Sequence, residues 1–246
     1  MSASLVGSEM CIRDSIWKEN KKMSILATIG GFISAAVSVI GPAISTAATY
    51  IATKLPTIIE TASVIVSGIT SIVTNISRIL NIAPEDEKTD ELGAKTLQEG
   101  TRPIEEGETA QEYLDYLRNE VDLDREKYDN MTAEQKLNCE IIGDAMVATS
   151  IQEKTGIGIP PEFLVVAGKG HMGYETANAL IKTFLNNGIE SLGDYVKYID
   201  NDMSEKDAVK VGGAVREAIS EVNPEMTPQD IEAEIVAMKR EYYAEN

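Results

Sequence analysis

The stretch KLPTIIETASVIVSGITSIVTNI, Lys54 to Ile76, carries isoleucine at a seven-residue interval and almost no charge. Six isoleucines continue this interval, and an Ala, Leu or Ile follows each of them by four residues. The twelve positions are Ile44, Ala48, Ile51, Leu55, Ile58, Ala62, Ile65, Ile69, Ile72, Ile76, Ile79 and Ala83. Apolar residues spaced alternately by four and three fall on one face of a helix. We call these positions the seam; they predict helical structure for the segment, with Pro56 as a break or kink.

The segment around the seam is nearly free of charge. Between residues 23 and 83 the charged side chains are Lys54, Glu60 and Arg78. Residues 24–53 contain no charge, and a bilayer crossing needs roughly 20 apolar residues. Residues 61–77 form a second uncharged stretch, near the lower limit for a crossing. The two stretches predict a helical hairpin that turns at Leu55 and Pro56.

Many positions outside the seam are Ser, Thr or Asn, where a water-exposed coiled coil would carry Glu and Lys. An uncharged surface of hydroxyl groups suits a pore lining, the interior of a protein tube or close helix packing in lipid. An ordinary buried helix pair of a soluble domain is the alternative interpretation.

The same stretch resembles the hydrophobic repeats of phage-tail tape-measure proteins. Leu55-Pro56, the pair Ile58-Ile59 and helical apolar spacing around Gly68 carry the resemblance, which covers residues 44–83. It implies residence inside a tail-like tube and later delivery to a target membrane.

Residues 1–22 have a different origin in our interpretation. LVGSEMCIRDS, Leu5 to Ser15, closely resembles a translated adaptor of transposase-based sequencing libraries. Lys18 and Glu19 fit the codons AAG GAG, a bacterial ribosome-binding sequence, shortly before Met23. We therefore expect residues 1–22 to be adaptor and untranslated leader, and a bacterial or phage chain to begin at Met23 without a cleavable signal peptide.

Residues 84–246 are strongly acidic, with 36 acidic and 16 basic side chains, and the whole chain has a net charge of -18. Such a surface repels phosphate backbones, so no nucleic-acid partner is expected. Dense acid with Pro and Gly predicts a linker over residues 84–107. Residues 108–246 lack strand alternation and predict a small acidic helical domain. The expected fold is all-α: a long apolar helix or helical hairpin over residues 23–83, then this bundle.

Helix starts are marked in the acidic region by hydroxyl residues that can cap a free backbone N–H. Three follow a methionine and precede an amide or acid by three residues: Thr132 with Gln135, Ser204 with Asp207, and Thr227 with Asp230. Earlier, ETAQEYLDYLRNEV places Tyr113, Leu114, Leu117 and Val121 on one helical face.

A GxGxxG motif, Gly168 to Gly173, follows the apolar run Phe163 to Ala167. In a dinucleotide-binding fold these glycines let the backbone approach a pyrophosphate. No second apolar run follows at the required place, which favours a glycine-rich turn between two helices with Phe163 to Ala167 in the core.

The other candidate chemical residues predict structural roles. Acidic runs beginning at Asp122 and Asp200 resemble calcium loops but lack the glycine and glutamate that such loops need, so we interpret them as helix starts. His171, the sole histidine, and Cys139 are interpreted as a turn residue and a packed core residue. No catalytic, cofactor-binding or metal residue is assigned.

These observations predict a non-enzymatic structural or membrane-active protein, as a component or cargo of a phage-tail-like particle. The alternative is a pore-forming or holin-like protein that permeabilises membranes. The expected partners are further copies of the chain through residues 23–83, and a membrane or tail-tube proteins. The residues assigned to assembly or membrane contact are Ile44, Ile51, Leu55, Pro56, Ile58, Ile65, Ile72 and Ile79. Residues 84–246 alone are expected to be a soluble helical monomer.

Overall fold

The computed structural model describes residues 38–244, without the side chains at 241, 242 and 244. The adaptor-like residues 1–22 and the first part of the apolar segment lie outside the described residues. The described chain forms helices joined by turns and loops. They are α1 (38–54), α2 (Ile59–Ile79), α3 (Thr89–Thr96), α4 (Ala110–Asn119), α5 (Arg125–Asp129), α6 (Ala133–Thr155), α7 (Pro161–Lys169), α8 (Tyr174–Asn186), α9 (Gly193–Asp200), α10 (Glu205–Val222) and α11 (Pro228–Ala244).

The predicted all-α class is confirmed. Residues 38–244 contain no β-strand, and their one extended pairing is an isolated parallel bridge between Gly158 and Ser191. The run Phe163 to Ala167 lies inside helix α7 and is buried. The glycine-rich residues that follow turn the chain from α7 into α8, as the structural interpretation of the GxGxxG motif predicted.

The helix starts inferred from capping residues are also confirmed. Thr132 forms a complete capping box with Gln135 at the start of α6. The Ser204 hydroxyl accepts a hydrogen bond from the backbone N–H of Asp207, and Thr227 accepts one from Asp230. The acid-rich runs resembling calcium loops lead into helices, with Asp124 capping α5. These local signals were readable because a cap depends only on residues within one turn.

Helix α2 packs one of its faces into the bundle. It packs against α6, α7 and α8, and its buried side chains belong to one hydrophobic cluster that extends from Ile40 to Ile235. The expected arrangement, in which an acidic bundle follows the apolar segment and folds apart from it, is therefore corrected. The acidic helices carry apolar stripes of their own, and α2 is the surface that covers those stripes.

The predicted linker over residues 84–107 is also corrected, because it contains helix α3. Five of the eight residues of α3 are buried: Thr89, Leu92, Gly93, Ala94 and Thr96. This helix packs closely along α6, its main neighbour. Composition suggested a solvated linker because the acidic residues dominate the segment, while the small residues on one side of α3 produce the contact.

Two glycines set the distance between α3 and α6. A methyl group added at Gly143 of α6 would overlap the backbone carbonyl of Thr89, and one at Gly93 of α3 would overlap that of Cys139. Both overlaps involve backbone atoms, which cannot rotate away as a flexible side chain can. Glycine at these positions is therefore required by the close approach of the two helices.

We expect Gly143→Ala to lower the free energy of unfolding by about 3 kcal/mol, because the helices must separate to admit the methyl group. Gly213→Ala on α10 is the matched control, since its methyl group would meet no atom within 4 Å. That control should be neutral or stabilising by up to about 1 kcal/mol through helix propensity. Urea unfolding of both variants measures the difference. Equal stability of Gly143→Ala and the natural protein would contradict the packing described here.

Candidate functional site

The seam is the buried face of the apolar segment. Nine of its twelve positions are buried in this chain's own core: Ile44, Ala48, Ile51, Leu55, Ala62, Ile65, Ile69, Ile72 and Ile76. Ile58 and Ile79 are exposed, with exposed fractions of 61% and 49%, and Ala83 is half-buried. The heptad pattern thus identified a real contact face, which this chain packs against its own helices. Association between copies through residues 23–83 stays a prediction. The helical structure is interrupted at residues 55–58, around Pro56, and other helices of the same chain cover the seam.

The opposite side of α1 and α2 faces outward and carries hydroxyl groups, as predicted. Its exposed hydroxyl residues are Thr46, Thr49, Thr53, Thr61, Ser63, Ser67 and Ser71. Val64 is also exposed, at 54%. The charged side chains that this surface exposes are Lys54 and Glu60, while Arg78 is half-buried. We call this side of α1 and α2 the hydroxyl surface; it contrasts with the acidic exterior of the remaining helices.

Glycines bring α2 and α7 into contact. A methyl group on Gly168 would lie 2.7 Å from the backbone carbonyl oxygen of Ile65, and one on Gly68 would lie 3.3 Å from the Gly168 Cα. The first glycine of the GxGxxG motif therefore serves a helix crossing. His171 occupies the left-handed backbone region in the turn that follows, with a φ of 48°.

A carboxyl pair, Glu140 and Asp144 of α6, lies where α6 faces α2. The Thr70 Oγ1 atom of α2 is 2.8 Å from Glu140 Oε1 and 2.7 Å from Asp144 Oδ2. Asp144 is fully buried, and Glu140 is partly exposed. One hydroxyl group thus bridges two carboxyl groups on successive turns of one helix.

This geometry fixes a minimum proton count. A threonine hydroxyl carries one hydrogen, so it can donate to one carboxylate. For the second contact to be a hydrogen bond as well, the second carboxyl must carry a proton and donate it to Oγ1. Two ionised carboxylates would leave one acceptor facing the hydroxyl oxygen without a hydrogen. The arrangement therefore fits a pair that holds at least one proton.

The electrostatic surroundings agree with this count. Burial raises the pKa of Asp144 well above its ordinary value, and the neighbouring Glu140 carboxylate raises it further. Hydroxyl groups of Thr70 and Thr89 act in the opposite direction on the Asp144 pKa. Burial also raises the pKa of Glu140, and Asp90 of α3 adds to both shifts. Within residues 38–244, neither Asp144 Oδ1 nor Thr89 Oγ1 makes a hydrogen bond of good geometry.

Cys139, the potential metal ligands and a surface cleft are the remaining candidates for chemistry. Cys139 is fully buried, and burial raises the pKa of its thiol to about 12, so it remains protonated. Its prediction as a packed core residue is confirmed. In the described part of the chain, no three His, Cys, Asp or Glu side chains are grouped to hold a metal ion. A cleft of about 510 Å³ at α9 and α10 mixes acidic side chains with Lys197 and Lys210.

Sequence reasoning assigned the seam residues but missed the carboxyl pair. Glu140 and Asp144 are spaced by four, which places both on one helical face, yet the same spacing is common on solvated acidic helices. Thr70 stands 70 residues before Glu140 and looked like one hydroxyl among many. No local signal connects the three residues, because folding alone brings α2 against α6.

Length and composition single out α2 among the described helices. Within residues 38–244, it is the helix that is long and apolar enough to span a membrane. Comparison with known proteins adds no relative: no family model, curated protein or solved structure matches the chain.

Proposed function

We propose that the protein is a non-enzymatic membrane-active protein that keeps an apolar helical hairpin, α1 and α2, packed in a helical bundle and inserts it into a bilayer. Of the two functions expected from the sequence, this is the membrane-permeabilising one. The observation that carries the proposal is α2 itself: it has the length and composition of a membrane span, yet one of its faces is packed into an acidic bundle.

One side of α2 suits packing in the bundle, and the other side suits contact with a bilayer. In the bundle, its seam side is covered by α6, α7 and α8. Its other side is already uncharged between Glu60 and Arg78. Release from the bundle would therefore give a helix with no charged side chain over seventeen residues, a length near the lower limit for crossing a bilayer. The hydroxyl groups of Ser63, Ser67 and Ser71 are spaced by four and would allow close packing between inserted helices.

The acidic helices support the storage of α2 in water. Helices α6, α7 and α8 bury apolar side chains against it, and the net charge of -18 keeps the chain soluble. An apolar helix without such cover would expose a large patch and associate with other surfaces. The acidic domain thus acts as the carrier of the apolar segment in this proposal.

Liposome leakage tests the proposal. We expect the full chain to release trapped dye, and Val64→Lys with Ser67→Lys to reduce the release at least about tenfold. Each lysine near the middle of a span costs about 2.5–3.5 kcal/mol on insertion. Both positions are exposed in the bundle, so folding should be little affected.

The matched control is Val209→Lys on α10, where valine is 74% exposed. It adds the same charge to the surface without changing α2, and it should release dye like the natural protein. Absence of leakage at every pH from 5 to 9, or equal leakage by the α2 double variant, would rule the proposal out.

The resemblance to tape-measure proteins implies a route by which the protein would reach a membrane. A chain carried inside a tail-like tube would reach a target membrane as cargo, and the hydroxyl surface would suit contact with a tube wall. Genes for a tail sheath or baseplate beside the gene of this chain would support delivery by a particle. In this setting self-association through the seam follows release from the bundle, because the seam is covered before it.

A further inference from the structure

We propose that Glu140, Asp144 and Thr70 form a protonation-controlled latch that holds α2 against α6. The latch closes when at least one of the two carboxyl groups carries a proton, and it opens as the pH rises. As a property of the fold, the latch concerns the docking of α2 in water. Its use as the trigger for membrane entry rests on the proposed function.

The latch lies at the contact between α2 and α6. Thr70 lies near the middle of the helix, between the buried residues Ile69 and Ile72 of the seam. Its hydroxyl joins α2 to two carboxyl groups on successive turns of α6. A change in the charge of the pair therefore acts directly on the contact between the two helices.

Among residues 38–244, the charged groups that act on the pair are acidic. Glu140 and Asp144 face each other along α6, and α3 contributes the Asp90 carboxylate and the Thr89 hydroxyl. Helix α2 contributes the uncharged Thr70. Helix α4 contacts α6 elsewhere, where Glu153 accepts hydrogen bonds from the backbone N–H of Ala110. A second ionisation of the pair would therefore add negative charge beside existing negative charge in a buried place.

The direction of the pH effect follows from the raised pKa values of both carboxyl groups. The folded protein binds protons more tightly than the unfolded chain, so these protons stabilise it fully below the ordinary carboxyl pKa. That stabilisation is lost as the pH rises through the folded-state pKa. A falling pH therefore closes the latch, and a rising pH opens it.

The net charge of the chain acts in the same direction and must be separated from the latch. Acidification reduces the repulsion among the many surface carboxylates, which also favours the folded state at low pH. This general effect is screened by salt, whereas a buried pair is screened much less. Measurements at 0.5 M salt with matched carboxyl variants separate the two contributions.

Urea unfolding of the full chain from pH 5 to pH 8 tests the latch. We expect the unfolding equilibrium constant of the natural protein to rise at least about tenfold more over this range than that of Asp144→Asn, since each unit of pKa shift corresponds to a tenfold change. Glu153→Gln is the matched control on the same helix; its carboxyl contacts α4 and not α2, so it should follow the natural profile. Asp144→Asn with the same pH profile as the natural protein would overturn the latch.

Hydrogen exchange on the natural protein gives a second measurement that needs no variant. After correction for intrinsic exchange, amides of α2 should lose protection with rising pH more than amides of α10. Equal loss in both helices would also overturn the latch. Neither experiment contains lipid, so failure of dye release would leave the latch standing, and a flat pH profile would leave membrane insertion standing.

Discussion

Residues 84–246 on their own are expected to lose the native fold and to aggregate. The deletion removes the six large buried side chains of α2 that lie in the core, namely Ile65, Val66, Ile69, Ile72, Val73 and Ile76. Full burial of such side chains is worth about 1.5–3 kcal/mol each, or roughly 9–18 kcal/mol together. That sum is comparable with or larger than the whole stability of a typical domain, about 5–15 kcal/mol. This expectation differs from the one drawn from composition, in which residues 84–246 alone are a soluble monomer.

Size-exclusion chromatography with light scattering, circular dichroism and binding of a hydrophobic dye measure the effect. Residues 23–246 serve as the comparison and should give a cooperative thermal transition with little dye binding. The shorter chain should retain some helix, bind the dye and melt without a sharp transition. A monomeric, cooperatively folding 84–246 fragment would show that α2 is dispensable for the bundle.

Asparagine substitutions at the seam should separate its buried positions from its exposed ones. Ile65→Asn with Ile72→Asn places two amide groups in the apolar core and removes two isoleucine side chains. We expect a loss of about 6–10 kcal/mol, which would unfold the chain, because each site loses apolar burial and gains an unpaired polar group. Ile58→Asn with Ile79→Asn makes the same change at two exposed positions.

The second pair is the matched control, and it should leave stability within about 1 kcal/mol. Ile58 is the N-cap residue of α2 and makes no side-chain capping bond, so asparagine there can even stabilise the helix start. Chemical unfolding and sedimentation of both double variants at matched salt decide the matter. If both pairs fold equally well but only oligomerisation changes, then the seam acts between copies and the packing against α6, α7 and α8 is not what stabilises this protein.

Local sequence signals predicted the all-α class and the starts or faces of several helices. Capping residues such as Thr132 and Ser204 marked helix starts because their hydrogen bonds close within one turn. The face of α4 that carries Tyr113, Leu114 and Leu117 was predicted from spacing and is buried. The seam was equally readable, because seven-residue spacing places isoleucines on one side of a helix whatever covers them. For the same reason, the spacing could not tell another copy from another part of this chain.

The tertiary structure alone decided what covers the seam and which polar residues meet beneath it. Charge suggested two separate segments, yet apolar stripes on α6, α7 and α8 need a partner, and α2 supplies it. The acidic stretch before residue 107 became helix α3 because Gly93 and Gly143 allow two backbones to approach closely. Thr70 contacts Glu140 and Asp144, which lie 70 and 74 residues later in the sequence. Periodicity indicates which face of a helix is buried. What packs against that face depends on residues distant in sequence, which only the folded chain brings together.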